Sequence, residues 1–406
     1  MGRVHAHVRP HVRPHVRSPL DGPYGATASH DGISFQASTG RVVIKAPGAA
    51  PTVTTLTSAF TFTGGNQSYY RGPAGLLTPS VTNTPRIEYG TGGDVLGLLM
   101  EGSAVNQLLQ NRDFTNASWA KTTMTAAKDQ TGADGSANGA SSLTATAGNA
   151  TALQTIVQAA VNSTLSFDIQ RITGTGAIGI CQDGVTFTDV TAQINSTGYT
   201  RVTLTASQLN PVLGIRLVTS GDKIAVDFSQ FEAGAFATSR IPTAGVSVLR
   251  TADACTRVLG SEFSATAGTV VMAGRASGGQ DAANGNHLME LNNATAANRM
   301  RFFRLLASDT AEFRVTDASV TQTTGLTGTF TNFSNYKAAM AWAANDFAFS
   351  FNGGAVATDA AGTIPTITTL CIGSSSVASD AAKGHIRTFD YYPSRLDNAT
   401  LQQRSA

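Results

Sequence analysis

Apolar and polar positions alternate with a period of two through most of this chain, in short runs broken by turn-forming residues. The runs Ser163–Ile169, Ala177–Cys181, Tyr199–Thr205, Leu213–Val218 and Lys223–Phe231 follow one another at regular spacing. Asp183-Gly184, Asn195-Ser196-Thr197-Gly198 and Ser220-Gly221-Asp222 separate them. A period of two places one side of a strand in a core and the other toward solvent. Repeated at this spacing, it predicts an antiparallel sandwich of jelly-roll type. Ahead of it, residues 21–105 carry shorter β-prone pieces: Ile33-Ser34-Phe35, Arg41–Ile44, Phe60–Phe62 and Pro85–Tyr89. These end in the apolar run Val95–Met100, read as a buried strand. Ile241-Pro242-Thr243-Ala244-Gly245 reads as a domain joint. Beyond it the alternation restarts in Gly268–Ala273, Met300–Leu306, Ala311–Val315, Tyr336–Trp342 and Asp346–Phe351, with Asn352-Gly353-Gly354 as a tight hairpin turn. A helical turn over Asp397–Gln403, capped by Asp397, closes the chain. The expectation is an all-β protein with an extended arm (1–20), a small β attachment region (21–105), a jelly roll (106–245) and a second antiparallel sandwich (246–406).

The arm departs from this pattern. His7-Val8-Arg9-Pro10 is repeated as His11-Val12-Arg13-Pro14 and again as His15-Val16-Arg17, with Arg3 and His5 before it. Pro10 and Pro14 forbid a stable helix. In an extended chain the His and Arg side chains share one face, and the prolines blunt one hydrogen-bonding edge. Arg3, His7, Arg9, His11, Arg13, His15 and Arg17 are therefore candidates for anchoring the chain on a partner, the arginines by pairing with its carboxylates. The alternative is a solvated terminus.

Composition narrows the class. The chain has 406 residues, a formal net charge of +2 and only 13% charged residues. Wholesale nucleic-acid binding is not indicated by such a balance. A surface built on Thr, Ser, Asn and Gly instead resembles those of secreted or virion β-proteins. Cys181, Cys255 and Cys371 are far apart and odd in number, which predicts buried free thiols in place of a zinc site or a disulfide framework. No apolar run reaches the length of a membrane span, and the basic N-terminus lacks the apolar stretch of a secretory signal.

Tyr336–Trp342, Phe351-Asn352-Gly353-Gly354, Ile372-Gly373 and Gly384–Phe389 with Tyr391 and Leu396 together resemble the closing strands of concanavalin A-like, laminin-G-like lectin sandwiches. Phe228–Thr243 is similar to the ending of carbohydrate-binding-module jelly rolls found in phage structural proteins, with Arg240 where an aromatic is usual. Pro85–Glu101 followed by Asn106–Leu109 resembles a segment that precedes such modules in tailed-phage tail and head fibre proteins. The resemblance implies a phage virion structural protein on the particle surface: a tail fibre or spike, homotrimeric, that binds host-surface glycan without cleaving it. The arm would hold it to other virion proteins. A head decoration protein or head fibre that stabilises the shell, and a glycan depolymerase, are the alternatives.

Candidate chemistry is sparse. Glycan cleavage needs two carboxylates facing one another across the substrate. Asp227 and Glu232, five apart, fall on opposite faces of a regular strand and read as joint-forming groups. No Gly-x-Ser-x-Gly elbow and no phosphate-cradling loop occur. Catalytic residues are therefore assigned to none, and no cofactor or structural metal is expected. Asp281, Asn284, Asn286 and His287 form a polar loop between predicted strands. Lectin sandwiches place sugar or calcium ligands on such loops, so these four are glycan-binding candidates. Tyr69 and Tyr70, beside Gly64-Gly65 and Arg71, are the exposed-looking aromatic pair, suited to stacking on a sugar or to sealing an interface. Trp119 and Trp342 fall in apolar or joint-forming runs and are read as core.

Overall fold

A computed structural model describes residues 30–276, 286–305, 308–375 and 382–406. The arm, with Arg3, His7, Arg9, His11, Arg13, His15 and Arg17, lies outside the described residues, as do Asp281 and Asn284.

The described chain is almost all β, and its strand pairs are antiparallel. The inserted middle section is a sandwich of two five-stranded sheets. One runs in the order Ala120–Thr122, Ala150–Thr155, Val212–Leu217, Ile178–Cys181, Thr188–Asp189. The other runs Met124–Gln130, Ala140–Ala145, Lys223–Ala233, Val161–Thr173, Thr200–Gln208. Leu165, Phe167, Ile169, Val202, Ile215, Ile224 and Val226 alternate inward from both sheets, as the period of two requires. Trp119 stacks on Phe114 at 4.1 Å within the same core.

The remaining sandwich is larger and discontinuous in sequence. Its ten-stranded sheet runs Thr52–Thr55, Arg41–Lys45, Gly32–Gln36, Gly384–Tyr392, Ala267–Ala276, Asn335–Ala343, Asp346–Phe351, Ala357–Asp359, with Arg86–Tyr89 and Val95–Met100 attached to Gly384–Tyr392. The facing sheet brings Thr61–Thr63 beside Ala254–Val258, followed by Thr369–Ile372, Asn286–Asn292, Arg299–Arg304 and Thr310–Asp317. One core joins Ile33, Phe35, Leu98 and Met100 to Phe302, Phe313, Trp342, Phe349 and Tyr391. The expectation of a separate β attachment region at 21–105 is thereby corrected. Ile33 and Phe35 bury themselves only by pairing with Tyr391 and Phe389, so these early strands complete the late sandwich. The middle sandwich is inserted into this larger one through a two-stranded neck, in which Ala104–Asn106 runs antiparallel to Val248–Arg250.

Local signals behave as their chemistry dictates. Asn352 and Gly353 both take positive φ (50° and 72°), the twist a two-residue hairpin turn demands. The Asp397 carboxylate accepts from Thr400 N at 2.9 Å and caps the helix Asn398–Ser405. Cys181, Cys255 and Cys371 are free and buried, and burial raises the pKa of each.

The discontinuity has a direct test. Residues 246–406 alone lack the partners of Gly384–Tyr392 and Ala254–Val258, leaving two apolar strands with open edges. Circular dichroism during heating is expected to show no cooperative transition for that fragment and a clear one for residues 30–406.

Candidate functional site

The two sandwiches meet across the polar outer face of the sheet containing Lys223–Ala233. Regular alternation would place Asp227 and Glu232 on opposite faces. Instead the strand carries a bulge, in which register shifts between the pairs Ser166/Gln230 and Asp168/Asp227. Phe228 sits in the bulge at φ 42°, a left-handed conformation that costs of the order of 1–3 kcal/mol in a residue other than glycine. The extra residue changes parity: Ile224 and Val226 face the core before the bulge, Phe231 after it. Asp227, Gln230 and Glu232 therefore share the outer face with Ser166 and Asp168, correcting the reading from spacing.

That face is covered by arginines. Arg112 donates from Nε to Asp227 Oδ1 (2.6 Å) and from Nη1 and Nη2 to Asp134 (2.9 Å each). Its guanidinium lies 4.1 Å from the centre of the Phe228 ring, which the bulge has turned outward. Arg240 grips Asp168 with Nε and Nη2 at 2.9 and 2.8 Å. Glu232 accepts from Thr238 N and Oγ1 and from Gln230 Nε2. The joint Ile241–Gly245 is pinned in the same way, with the Ile241 carbonyl accepting from Asn106 and Asn111 side chains at 2.8 and 3.0 Å.

The neck is closed by a buried charge cluster. Arg86 donates to Glu101 Oε2 at 2.8 Å and to Asp253 Oδ2 at 2.5 Å, Arg250 pairs with Glu101, and Ser239 N donates to Glu101 Oε1 at 2.7 Å. Burial opposes the charge on Glu101, but the two guanidiniums and the Ser239 bonds outweigh it and hold the carboxyl down to about 2. Gly65 N donates to Asp253 Oδ1 at 2.8 Å. A Cβ on Gly64 would stand 2.5 Å from the Ala252 carbonyl oxygen, so only glycine lets the backbone pass there.

Between neck, covered face and large sheet lies a cleft of about 210 Å³. The inserted sandwich and its exit contribute Arg201, Phe236, Thr238 and Arg240; the large sandwich contributes Glu88, Arg275, Phe333, Lys383 and His385. Phe333 is 58% exposed at its rim and itself holds φ 55°. The Lys383 ammonium stands 5.6 Å from the centre of the Phe236 ring. Burial brings Lys383 down to about 8. It also brings Arg201, reinforced by the charge of Arg240, down to about 10. Glu88 accepts from His385 Nε2 at 2.7 Å; burial opposes its ionisation, yet this bond and the charge of His385 keep its pKa below the ordinary carboxylate value. A second cleft of about 580 Å³, with Arg71, Asn195 and Tyr199, lies on the other side of the Arg240–Asp168 pair.

The residues singled out from sequence fall elsewhere. Asn286 and His287 lie in the strand Asn286–Asn292, both buried. His287 faces Arg301 (3.3 Å) and the Phe303 ring, so neither residue belongs to a solvated loop. Tyr69 packs on Phe228 at 4.8 Å between ring centres, and its backbone pairs with Arg240 in both directions. Tyr69 thus packs into a joint within the chain while staying partly exposed; Tyr70, beside it on the strand Tyr69–Arg71, is half-buried and its hydroxyl pKa is raised by that burial. Spacing could not find the cleft: Arg201, Arg275, Phe333 and Lys383 come from four distant runs, and only Arg201 carried a signal, as a cation at a polar position of a predicted strand.

No family model matches this chain, and no characterised protein matches it in sequence. Solved structures are similar to part of it. A carbohydrate-binding module, CBM40, of the Ruminococcus gnavus IT-sialidase, bound to α2,3-sialyllactose, is 13% identical, covers 35% of this chain and 84% of its own, and has a TM-score of 0.30. Domain 4 of the extracellular GH43 arabinanase AbnA from Geobacillus stearothermophilus, in complex with arabinotriose, is 9% identical over 38% of this chain and 73% of its own, at 0.31. The NanB sialidase of Streptococcus pneumoniae is 16% identical over 35% of this chain and 24% of its own, at 0.29. At these TM-scores the likeness says nothing of a ligand.

The cluster at the neck makes a stability prediction. A carboxylate depressed from 4.5 to about 2 contributes stability that is fully present above pH 4.5 and lost as pH falls through 2. Glu101→Gln is expected to destabilise the protein by about 3 kcal/mol at pH 7, because two buried guanidiniums lose a shared anion. Urea unfolding at pH 7 and pH 3 checks both magnitude and sign: the variant's deficit should shrink at the lower pH.

Proposed function

We propose that this chain is a non-catalytic glycan-binding protein of a tailed-phage particle, engaging host-surface glycan through the cleft between its two sandwiches. The observation that carries the binding reading is the composition of the cleft, where an exposed aromatic ring, Phe333, stands over a wall of fixed hydrogen-bond donors. Its volume suits one residue of a longer saccharide, with the rest of the chain running out over Phe333. The particle assignment is supported by the sequence resemblance of Pro85–Glu101, Phe228–Thr243 and the closing strands to fibre proteins. The basic arm would be its point of attachment, and several copies on one particle would convert weak single contacts into avidity.

The chemistry around the cleft favours binding over cleavage. A glycosidic acid must keep its proton near neutral pH, which requires a raised pKa. Glu88 and Glu101 are both lowered, by His385 and by two arginines, and Asp168 is held on both oxygens by Arg240. These carboxylates act as structural counter-ions.

A glycan array probed with the full chain in multivalent form tests the reading, and binding without shortening of the bound polysaccharide is expected. Phe333→Ala, at an exposed position, should weaken the best array hit about fivefold or more by removing an apolar face of the size a sugar ring covers, without changing the melting temperature. An unaffected hit would move the site away from the cleft. Removing residues 1–20 should prevent incorporation into particles and leave glycan binding intact.

A further inference from the structure

We infer that the cleft is built for an acidic saccharide, whose carboxylate or sulfate group is received by Arg275 in front of Arg201. This rests on the glycan-binding reading of the same cleft and specifies the chemistry of its ligand.

Cationic side chains outnumber carboxylates in the lining of this small volume. Four cationic side chains line the cleft, Arg201, Arg240, Arg275 and Lys383, against two carboxylates, Glu88 and Glu101. The carboxylates are already engaged. Glu101 is shared by Arg86 and Arg250, neither of which lines the cleft, and Glu88 accepts from His385 and from Arg71 N. Arg240 is likewise matched, to Asp168, which lines the neighbouring cleft. Arg201 is different: Nη1 donates to the Thr238 carbonyl and Nη2 to the Ser166 hydroxyl, both neutral acceptors, its buried Nε has no hydrogen-bond partner, and the charges of Asp168 and Glu232 act on it without forming an ion pair. Arg275, at the end of the strand Ala267–Ala276, makes no ion pair or side-chain hydrogen bond among the described residues. A guanidinium with no ion pair, Arg275, set beside an Arg201 that is hydrogen-bonded only to neutral acceptors, raises the potential of this partly enclosed cleft and favours an anion there. Guanidinium forks fit a planar carboxylate or a sulfate with two parallel bonds, which a neutral hydroxyl cannot offer. Phe236 and Phe333 supply the apolar surface that a sugar ring needs and a bare inorganic anion does not.

Isothermal titration of the full chain at pH 7 with three oligosaccharides of equal length decides the matter: a hexuronate oligomer, its carboxyl-reduced neutral counterpart, and a sulfated oligomer. The hexuronate or the sulfated oligomer should bind at least tenfold more tightly than the neutral one, and whichever is tighter identifies carboxylate or sulfate as the preferred group. Arg275→Gln should remove about tenfold of that preference, weakening the acidic ligands far more than the neutral one, and leave the melting temperature unchanged. Raising salt from 50 to 300 mM should weaken only the acidic ligands. Equal binding of neutral and acidic forms, or an unchanged preference in Arg275→Gln, overturns the inference while the glycan-binding reading stands. Failure of every oligosaccharide to bind overturns both.

Discussion

The arrangement of the molecule depends on one buried cluster of opposite charges at the neck. Glu101 and Asp253 sit between Arg86 and Arg250, all four almost excluded from solvent. Such a cluster is weak as a source of net stability, because desolvation consumes most of the Coulombic gain. Its value is geometric. Each guanidinium offers donors in a fixed fork, and each carboxylate accepts from the passage opposite its own, Glu101 from Arg250 and Asp253 from Glu101 N, while Arg86 bridges the two carboxylates. Asp253 N donates to the Glu101 carbonyl, and Glu101 N to the Asp253 carboxylate, which locks the two passages to each other. Ser239 N donates to the same Glu101, tying the exit of the inserted sandwich to its base. A shift of either passage would strand a buried charge, at a cost far above that of a lost surface pair.

Fold class was legible because alternation reports which face of a strand is buried, and that is a local property. The runs at Lys223–Phe231, Tyr336–Trp342 and Asp346–Phe351 appear as strands at nearly those bounds. Pairing partners are a different matter. Nothing in Ile33-Ser34-Phe35 states that its neighbours in the sheet are Phe389 and Tyr391, since an apolar alternating strand is satisfied by any apolar alternating partner. The division into consecutive sections failed for that reason: composition marks a joint at Ile241–Gly245 but not that the chain returns there to a sandwich it left near Met100. Phe228 illustrates a second limit. A bulge exchanges the faces of every later residue in a strand, and its mark in sequence would be a residue tolerant of left-handed φ. Phenylalanine is not one, and its conformation is held by Arg112 and Tyr69, contributed from elsewhere in the chain.

The same reasoning explains why the candidate site was invisible. Residues that bind through their own loop leave a local signature, as the Asp, Asn and His near the start of Asn286–Asn292 suggested. Those that bind through a domain joint do not, because each belongs to a strand whose pattern is already explained. Arg201 reads as the polar member of an alternating strand, Arg275 as a strand end, Phe333 as part of a turn. Only the topology, an inserted sandwich folded back against the edge of its host, brings them to one wall.

That placement has an energetic consequence for any ligand. The wall donors are held before binding: Arg240 by two bonds to Asp168, Arg201 by Ser166 and the Thr238 carbonyl. A ligand group arriving there does not have to order flexible side chains, which removes part of the usual cost of association. Arg240 lines both clefts, and its pair with Asp168 stands between them. On the proposed glycan-binding reading, a cleft of about 210 Å³ covers little more than a single saccharide residue, so tight attachment to a glycan-covered surface would have to come from copy number, with the charge pattern of each cleft setting which glycan it favours.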